Sequence, residues 1–178
     1  FLRNVPDLAH KILRDLKLDR ESIEGGSHFA ALFSEEEVES PYALRKRIAR
    51  YGLKMVRDFY EMRLALLHQD EAESYSPLES DLLESKRRTG EIIITKKQAE
   101  SIVKERLLWI TKVESEKNCV SLSELMLSGK DLISLGVSPG KRMGEILQLA
   151  FDRVLQEPKE NEKEKLISYL QESGLLDS

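Results

Sequence analysis

Apolar residues recur at three- and four-residue steps through most of this 178-residue chain, and that rhythm constrains the fold more than any other feature. An α-helix turns once in about 3.6 residues, so such spacing gathers apolar side chains on one face. The clearest case is Met143, Ile146, Leu147, Ala150, Val154 and Leu155, stopped by Pro158, which cannot continue a helix. Ile102, Val103, Leu107, Ile110 and Val113, with Arg106 in register, predict a helix that starts between Leu78 and Thr95 and ends near Glu116. Thr95 with Gln98 three residues on fits a capping box. Leu8, Ile12, Leu13 and Leu16 predict a helix over Asp7 to Leu18; Gly25-Gly26 then reads as a break, and "HFAALF" as a short apolar turn. Ser40-Pro41 is a cap followed by proline at the first helical position. It opens one long predicted helix to Leu67, with Leu44, Ile48, Tyr51, Met55, Phe59 and Met62 on one face. "KNCVSLSELMLSGKDLISLG" reads as a connector with short helices, and the last helix as capped by Asn161 and closed by Gly174. Only "TGEIIIT", with its β-branched run Ile92 to Ile94, is ambiguous. The expected fold is all-α, an irregular multi-helix arrangement.

Composition narrows the class. A hydrophobic share of 40% beside 34% charged residues suits an ordered helical protein, and the 6% aromatic share leaves aliphatic residues to build the core. The single cysteine, Cys119, excludes an intrachain disulfide and a cysteine metal cluster. No apolar run reaches bilayer-spanning length, and no signal-peptide pattern opens the chain, so the expectation is a cytoplasmic protein without a membrane partner. The opening "FLRNVPDLAHKIL" has no methionine and is already in amphipathic register, as expected of a piece of something longer. The net charge of −4 means that a nucleic-acid role needs a local patch.

Most catalytic chemistries lack their residues. His10, His28 and His68 form no His-Glu-x-x-His arrangement, and "HQD" at His68 lies in a polar loop. Cys119 has no nucleophile signature around it. There is no Gly-x-Ser-x-Gly elbow, phosphate-binding loop or dinucleotide fingerprint. No catalytic or metal-ligating residue is therefore assigned.

Two cationic features remain. Arg45, Lys46, Arg47, Arg50, Lys54, Arg57 and Arg63 fall within 19 positions that hold only two acids, Asp58 and Glu61. Lys46, Arg47, Arg50, Lys54 and Arg57 lie opposite the apolar face of the long helix and are expected to face solvent. They either track a nucleic-acid backbone, releasing counterions, or form a solvated face paired with acids such as Glu35 to Glu39. The second feature is "GKDLISLGVSPGKRMGEIL", Gly129 to Leu147. Gly136 can close one helix at positive φ, Ser138-Pro139-Gly140 turns, and the next helix begins near Gly140 or Lys141. Free amides at a helix N-terminus favour an anion, whereas Lys141 and Arg142 there oppose the helix dipole. The hairpin is similar to the helix–hairpin–helix unit that grips nucleic-acid backbones. It also reads as a plain helix–helix corner, with Gly144 chosen for close packing.

Over about 45 residues this region resembles the C-terminal region of bacterial tRNA nucleotidyltransferases (CCA-adding enzymes) and their poly(A) polymerase relatives. The resemblance is carried by Gly129-Lys130-Asp131-Leu132, Leu135-Gly136, Pro139-Gly140, Gly144-Glu145-Ile146-Leu147, Val154-Leu155 and Asn161, in that order and spacing. Upstream, "YALRKRIARYGLKMVRDFYEMRLA" resembles the helix that follows the family's His-Asp-type domain. The resemblance implies a helical body and tail, with residues 1–75 following the His-Asp-type domain and 76–178 forming the body and tail proper. It implies contact with RNA, in particular tRNA, whose 3′ end is extended by a catalytic head on the parent protein. That head would use a divalent metal (magnesium) and nucleoside triphosphates, and this chain would need no cofactor. The head's paired aspartates, its Arg-Arg-Asp signature and the neck's Glu-Asp-x-x-Arg pattern are absent from this chain, so the fragment is expected to be non-catalytic. Lys130, Gly140, Lys141 and Arg142 are expected as one RNA-contact region, and Arg47, Arg50, Lys54 and Arg57 as a second. The alternative role is a structural module that packs on the head or forms a homodimer without touching RNA.

Overall fold

A computed structural model describes residues 6–69 and 95–176. Among these residues there are eight α-helices and no strand, the all-α class that the periodicity predicts. They are α1 (Pro6–Asp15), α2 (Arg20–Ser34), α3 (Pro41–Tyr51), α4 (Leu53–Gln69), α5 (Lys96–Ser115), α6 (Gly129–Ser134), α7 (Lys141–Gln156) and α8 (Lys163–Glu172). Single 3₁₀ turns lie at Leu122–Glu124 and Pro158–Glu160. Thr95 starts α5 as expected: its amide donates to Gln98 Oε1 and its hydroxyl accepts from the Gln98 amide. Ile92 to Ile94 lie outside the described residues, and so does the expected boundary between 75 and 76.

The chain forms two units, each assembled from separate stretches of sequence. One is Phe1–Glu37 with Leu53–Thr111; the other is Val38–Gly52 with Lys112–Ser178. Gly52 explains how the predicted long helix is divided between them. Its φ of 86° and ψ of 149° end α3, and its amide closes the last turn on the Ile48 carbonyl. The apolar spacing runs on past this glycine without interruption. The buried Leu44 and Ile48 thus fall in the stretch assigned to the second unit, and the buried Val56, Phe59 and Tyr60 in that of the first.

In the first unit the expected break at Gly25-Gly26 does not occur. Asp19 caps α2 by accepting the Ser22 amide, and the helix continues through both glycines. The reason lies in packing. A Cβ at Gly26 would sit 2.6 Å from Leu13 Cδ1, so the missing side chain lets α1 and α2 close together. "HFAALF" is the end of α2, with Ala30 and Leu32 buried, and is no turn. Phe59 meets Phe29, Phe33 and Tyr60 edge-on, with ring centroids 5.0 to 6.2 Å apart. Beside this cluster Glu37 gathers Tyr60 (2.8 Å), Arg63 and Arg106 (3.8 Å), and the Arg106 guanidinium lies 4.2 Å from the centre of the Trp109 ring. Burial alone would raise the Glu37 carboxyl. The hydrogen bonds from Arg63 and Tyr60, with the charges of Arg63 and Arg106, outweigh it and hold the group below its usual range.

In the second unit α7 is the centre, touching α3, α6, α8 and both 3₁₀ turns. Its buried face, Ile146, Ala150, Phe151, Val154 and Leu155, packs on Leu132 of α6 and on Leu166 and Leu170 of α8. Arg45 closes its C-terminal end: Nε donates to the Leu155 carbonyl at 2.6 Å and Nη2 to that of Gln156 at 2.9 Å. Asn161 does not cap the last helix, whose N-cap is Glu162. Its side chain reaches back instead, accepting the Met126 amide at 2.9 Å and donating to the Glu124 carbonyl at 3.1 Å. Gly174 does close α8, at a φ of 68°. Cys119 is buried beneath this unit, and burial pushes its thiol up to about 11.

Candidate nucleic-acid interface

The turn between α6 and α7 is built by local rules that the sequence carries. Ser128 and Asp131 form a capping box at the start of α6: the Ser128 amide donates to Asp131 Oδ2 at 2.8 Å and the Ser128 hydroxyl to the same oxygen at 2.6 Å. Leu132 anchors the helix in the core with no exposed surface. Gly136 then adopts a φ of 85°, its amide bonding to the Ile133 carbonyl and that of Val137 to the Leu132 carbonyl. This is the paired-bond ending that needs a left-handed residue. After Ser138 and Pro139, Gly140 takes φ 147° and ψ −163°, a conformation open to glycine and strained for other residues.

Gly140 is the N-cap of α7, and no side chain caps the helix there. The first backbone bond, from the Gly144 amide to the Gly140 carbonyl, is 3.4 Å long. The amides of residues 141–143 precede any helical acceptor, as at every helix start. They open beside a recess of about 280 Å³ that is lined by the turn, Lys141, Arg142, Leu175 and Leu176. The Lys141 side chain is 93% exposed, with Glu145 one helical turn away at 3.6 Å. An exposed pair of that kind contributes about 0–1 kcal/mol and yields readily to another anion. Arg142 is exposed and reaches the Leu175 carbonyl at 3.5 Å, and Lys130 is exposed on α6. The packing role considered for Gly144 is not realised, because a Cβ there meets nothing within 4 Å. The close approach is at Gly129, where a Cβ would lie 3.1 Å from Met143 Sδ.

One partnership in this region has little signal in sequence. Lys163, at the start of α8, pairs with Asp131 Oδ1. The bond from Lys163, and then those from Ser128, hold the Asp131 carboxyl well below the usual carboxylate range. The capping half of this arrangement has a sequence signal that the analysis of spacing did not use, Ser-x-x-Asp before an apolar run. The 32-residue reach to Lys163 has none.

The stripe on α3 and α4 is a different matter. Its expected residues are divided by Gly52, with Arg47 and Arg50 in the second unit and Lys54 and Arg57 in the first. Contrary to the solvent-facing expectation, Arg47 is only 7% exposed. Arg50 is exposed, its guanidinium 5.1 Å from the centre of the Tyr51 ring. Lys54 is exposed and bonded to Asp58 at 2.6 Å, and Arg57 is half-buried. Of the neighbouring cations, Arg45 caps α7, Lys46 lies 3.6 Å from Asp152, and Arg63 pairs with Glu37, one of the acids that the sequence offered as partners.

Among the described residues no three His, Cys, Asp or Glu side chains are grouped to hold a metal, and no helix is long and apolar enough to cross a membrane. A family model described as tRNA nucleotidyltransferase domain 2, putative, matches residues 84–170. No curated protein and no solved structure matches the chain significantly. The matched span contains the α6–α7 turn with Lys130, Gly140, Lys141 and Arg142, while α3 and α4 lie before it.

Proposed function

We propose, from the match of residues 84–170 to a tRNA nucleotidyltransferase domain, that this chain binds RNA, tRNA in particular, without performing the chemistry itself. It would position the RNA for 3′-end nucleotide addition by a catalytic head elsewhere on the parent protein, the part that would use magnesium and nucleoside triphosphates. One observation carries the reading: the uncapped start of α7, flanked by exposed Lys141 and Arg142, lies within the matched region. A phosphate there would meet helix amides, offset the unfavourable placing of two cations in the first turn, and displace Glu145 at little cost. Recognition would be of backbone and shape, as A-form RNA requires. Lys130 extends this contact within the second unit, and Arg50 and Lys54 are the exposed members of the stripe, one in each unit.

A second reading rests on an open groove of about 970 Å³ on the second unit. Phe151 and Leu155 line it beside Leu122 and Leu149, which are about half exposed, and Lys46 and Arg50 are balanced there by Glu145 and Asp152. Such a mixed, charge-balanced surface suits protein better than nucleic acid, whether a second copy of the chain or the parent's head. Light scattering beside a tRNA binding titration separates the two. The RNA reading expects binding that weakens steeply with salt and does not depend on self-association; a dimer with no affinity for tRNA would leave the structural role.

A further inference from the structure

We propose that Asp131 is a positioning residue for the α6–α7 turn: by joining the start of α6 to Lys163 at the start of α8, it fixes where the turn presents its open amides and cations. The inference rests on the reading of the turn as an RNA-backbone contact. A carboxylate next to Lys130, in a region meant to receive phosphate, is a liability unless it has another task. Here both its oxygens are engaged. Oδ2 accepts the amide and the hydroxyl of Ser128, and Oδ1 accepts Lys163. Two residues before Lys163, Asn161 holds the segment that enters α6 through the Glu124 carbonyl and the Met126 amide.

The far end of the same helix returns to the turn. After α8 closes at Gly174, Leu175 and Leu176 line the recess, and the Leu175 carbonyl receives Arg142. A helix of ten residues is about 15 Å long. It therefore grips the α6–α7 hairpin at both ends: its beginning holds the entry to α6, and its exit lies beneath the start of α7. Asp131 is the point at which α6 is tied to it. Loosening that tie frees α6 to shift about its buried Leu132, and the direction in which Gly136 to Gly140 leave α6 shifts with it.

Simple electrostatics and the positioning role demand opposite signs, which makes a clean test. Removing a negative charge near phosphates tightens RNA binding if Asp131 acts by charge alone. If it positions the turn, Asp131→Asn weakens the binding of an unmodified tRNA transcript several-fold. Asp131→Glu retains affinity, because glutamate is the usual third residue of a capping box. Lys163→Met, which breaks the tie from α8 and leaves the Ser128 cap in place, also weakens binding; because losing a cation does so by charge alone, it stands in for Asp131→Asn only through the disappearance of its loss in the background that follows. Both losses vanish in a chain already carrying Lys141→Ala and Arg142→Ala, since the tie acts through those groups. Unchanged or tighter binding by folded Asp131→Asn or Lys163→Met, beside a weakened Lys141→Ala/Arg142→Ala chain, overturns the positioning role alone. An unweakened Lys141→Ala/Arg142→Ala chain overturns the RNA reading of the turn and the positioning role with it.

Discussion

The stripe on α3 and α4 and the turn between α6 and α7 carry the same kinds of side chain, yet the fold uses them differently. In and around the stripe the fold claims many of the cations. Arg45 closes the end of α7, Arg47 is buried, and Arg63 joins Arg106 on Glu37. At the turn Lys130, Lys141 and Arg142 stay exposed, beside a helix start with no internal cap. A dense run of positive charge is thus a poor guide to a site. Helix C-termini, buried carboxylates and aromatic faces all take up arginine, and they do so before any ligand arrives.

Breaking the structural side of this contrast should cost the most stability. Glu37→Ala takes from Arg63 and the buried Arg106 their shared carboxylate, leaving Arg106 its pair with Glu105, and is expected to destabilise the chain by about 2–3 kcal/mol, read from denaturant unfolding. The same group gives a pH test. Its folded-state value is depressed, so its contribution is complete above the ordinary carboxyl range, near ~4.3, and is lost as pH falls towards the folded value. The Glu37→Ala variant should lack that part of the acid sensitivity. Arg45→Ala comes next. Two carbonyls at the end of α7 lose a charged donor, at a cost of about 1.5–3 kcal/mol, and tRNA affinity stays at the wild-type level. An affinity loss as large as that of the turn variant would return Arg45 to the binding surface. The smallest effect sharpens the reading of α2. Gly25→Ala, with open space around the new methyl group, should stabilise by about 0.5–1 kcal/mol. Gly26→Ala must displace the end of Leu13 and should gain less.

Local chemistry was the part legible in sequence. The start of α5 at Thr95, the ending at Gly136, the turn at Gly140 and the core face of α7 all follow from caps, glycines and spacing within a few residues. What was hidden depended on distance. Apolar spacing runs unbroken through Gly52, so periodicity could not divide α3 from α4, although the glycine itself was a signal. The glycines at 25 and 26 look like punctuation until α1 packs against Gly26. Asn161 resembles a cap because caps are the commonest use of asparagine there, and its bonds to Glu124 and Met126 exist only once the loop is folded back. Burial of Arg47 and the tie from Asp131 to Lys163 are likewise products of the tertiary fold.

The most direct measurement compares the salt dependence of tRNA binding for the wild-type chain and for Lys141→Ala/Arg142→Ala. Both residues are exposed, so folding stability should change by less than about 0.5 kcal/mol. Each phosphate contact contributes roughly 0.7 to 0.9 to the slope of log affinity against log salt. Weaker binding is expected, with a slope shallower by roughly 1.4 to 1.8. A variant that binds tRNA with wild-type affinity and slope would contradict the RNA reading of the turn.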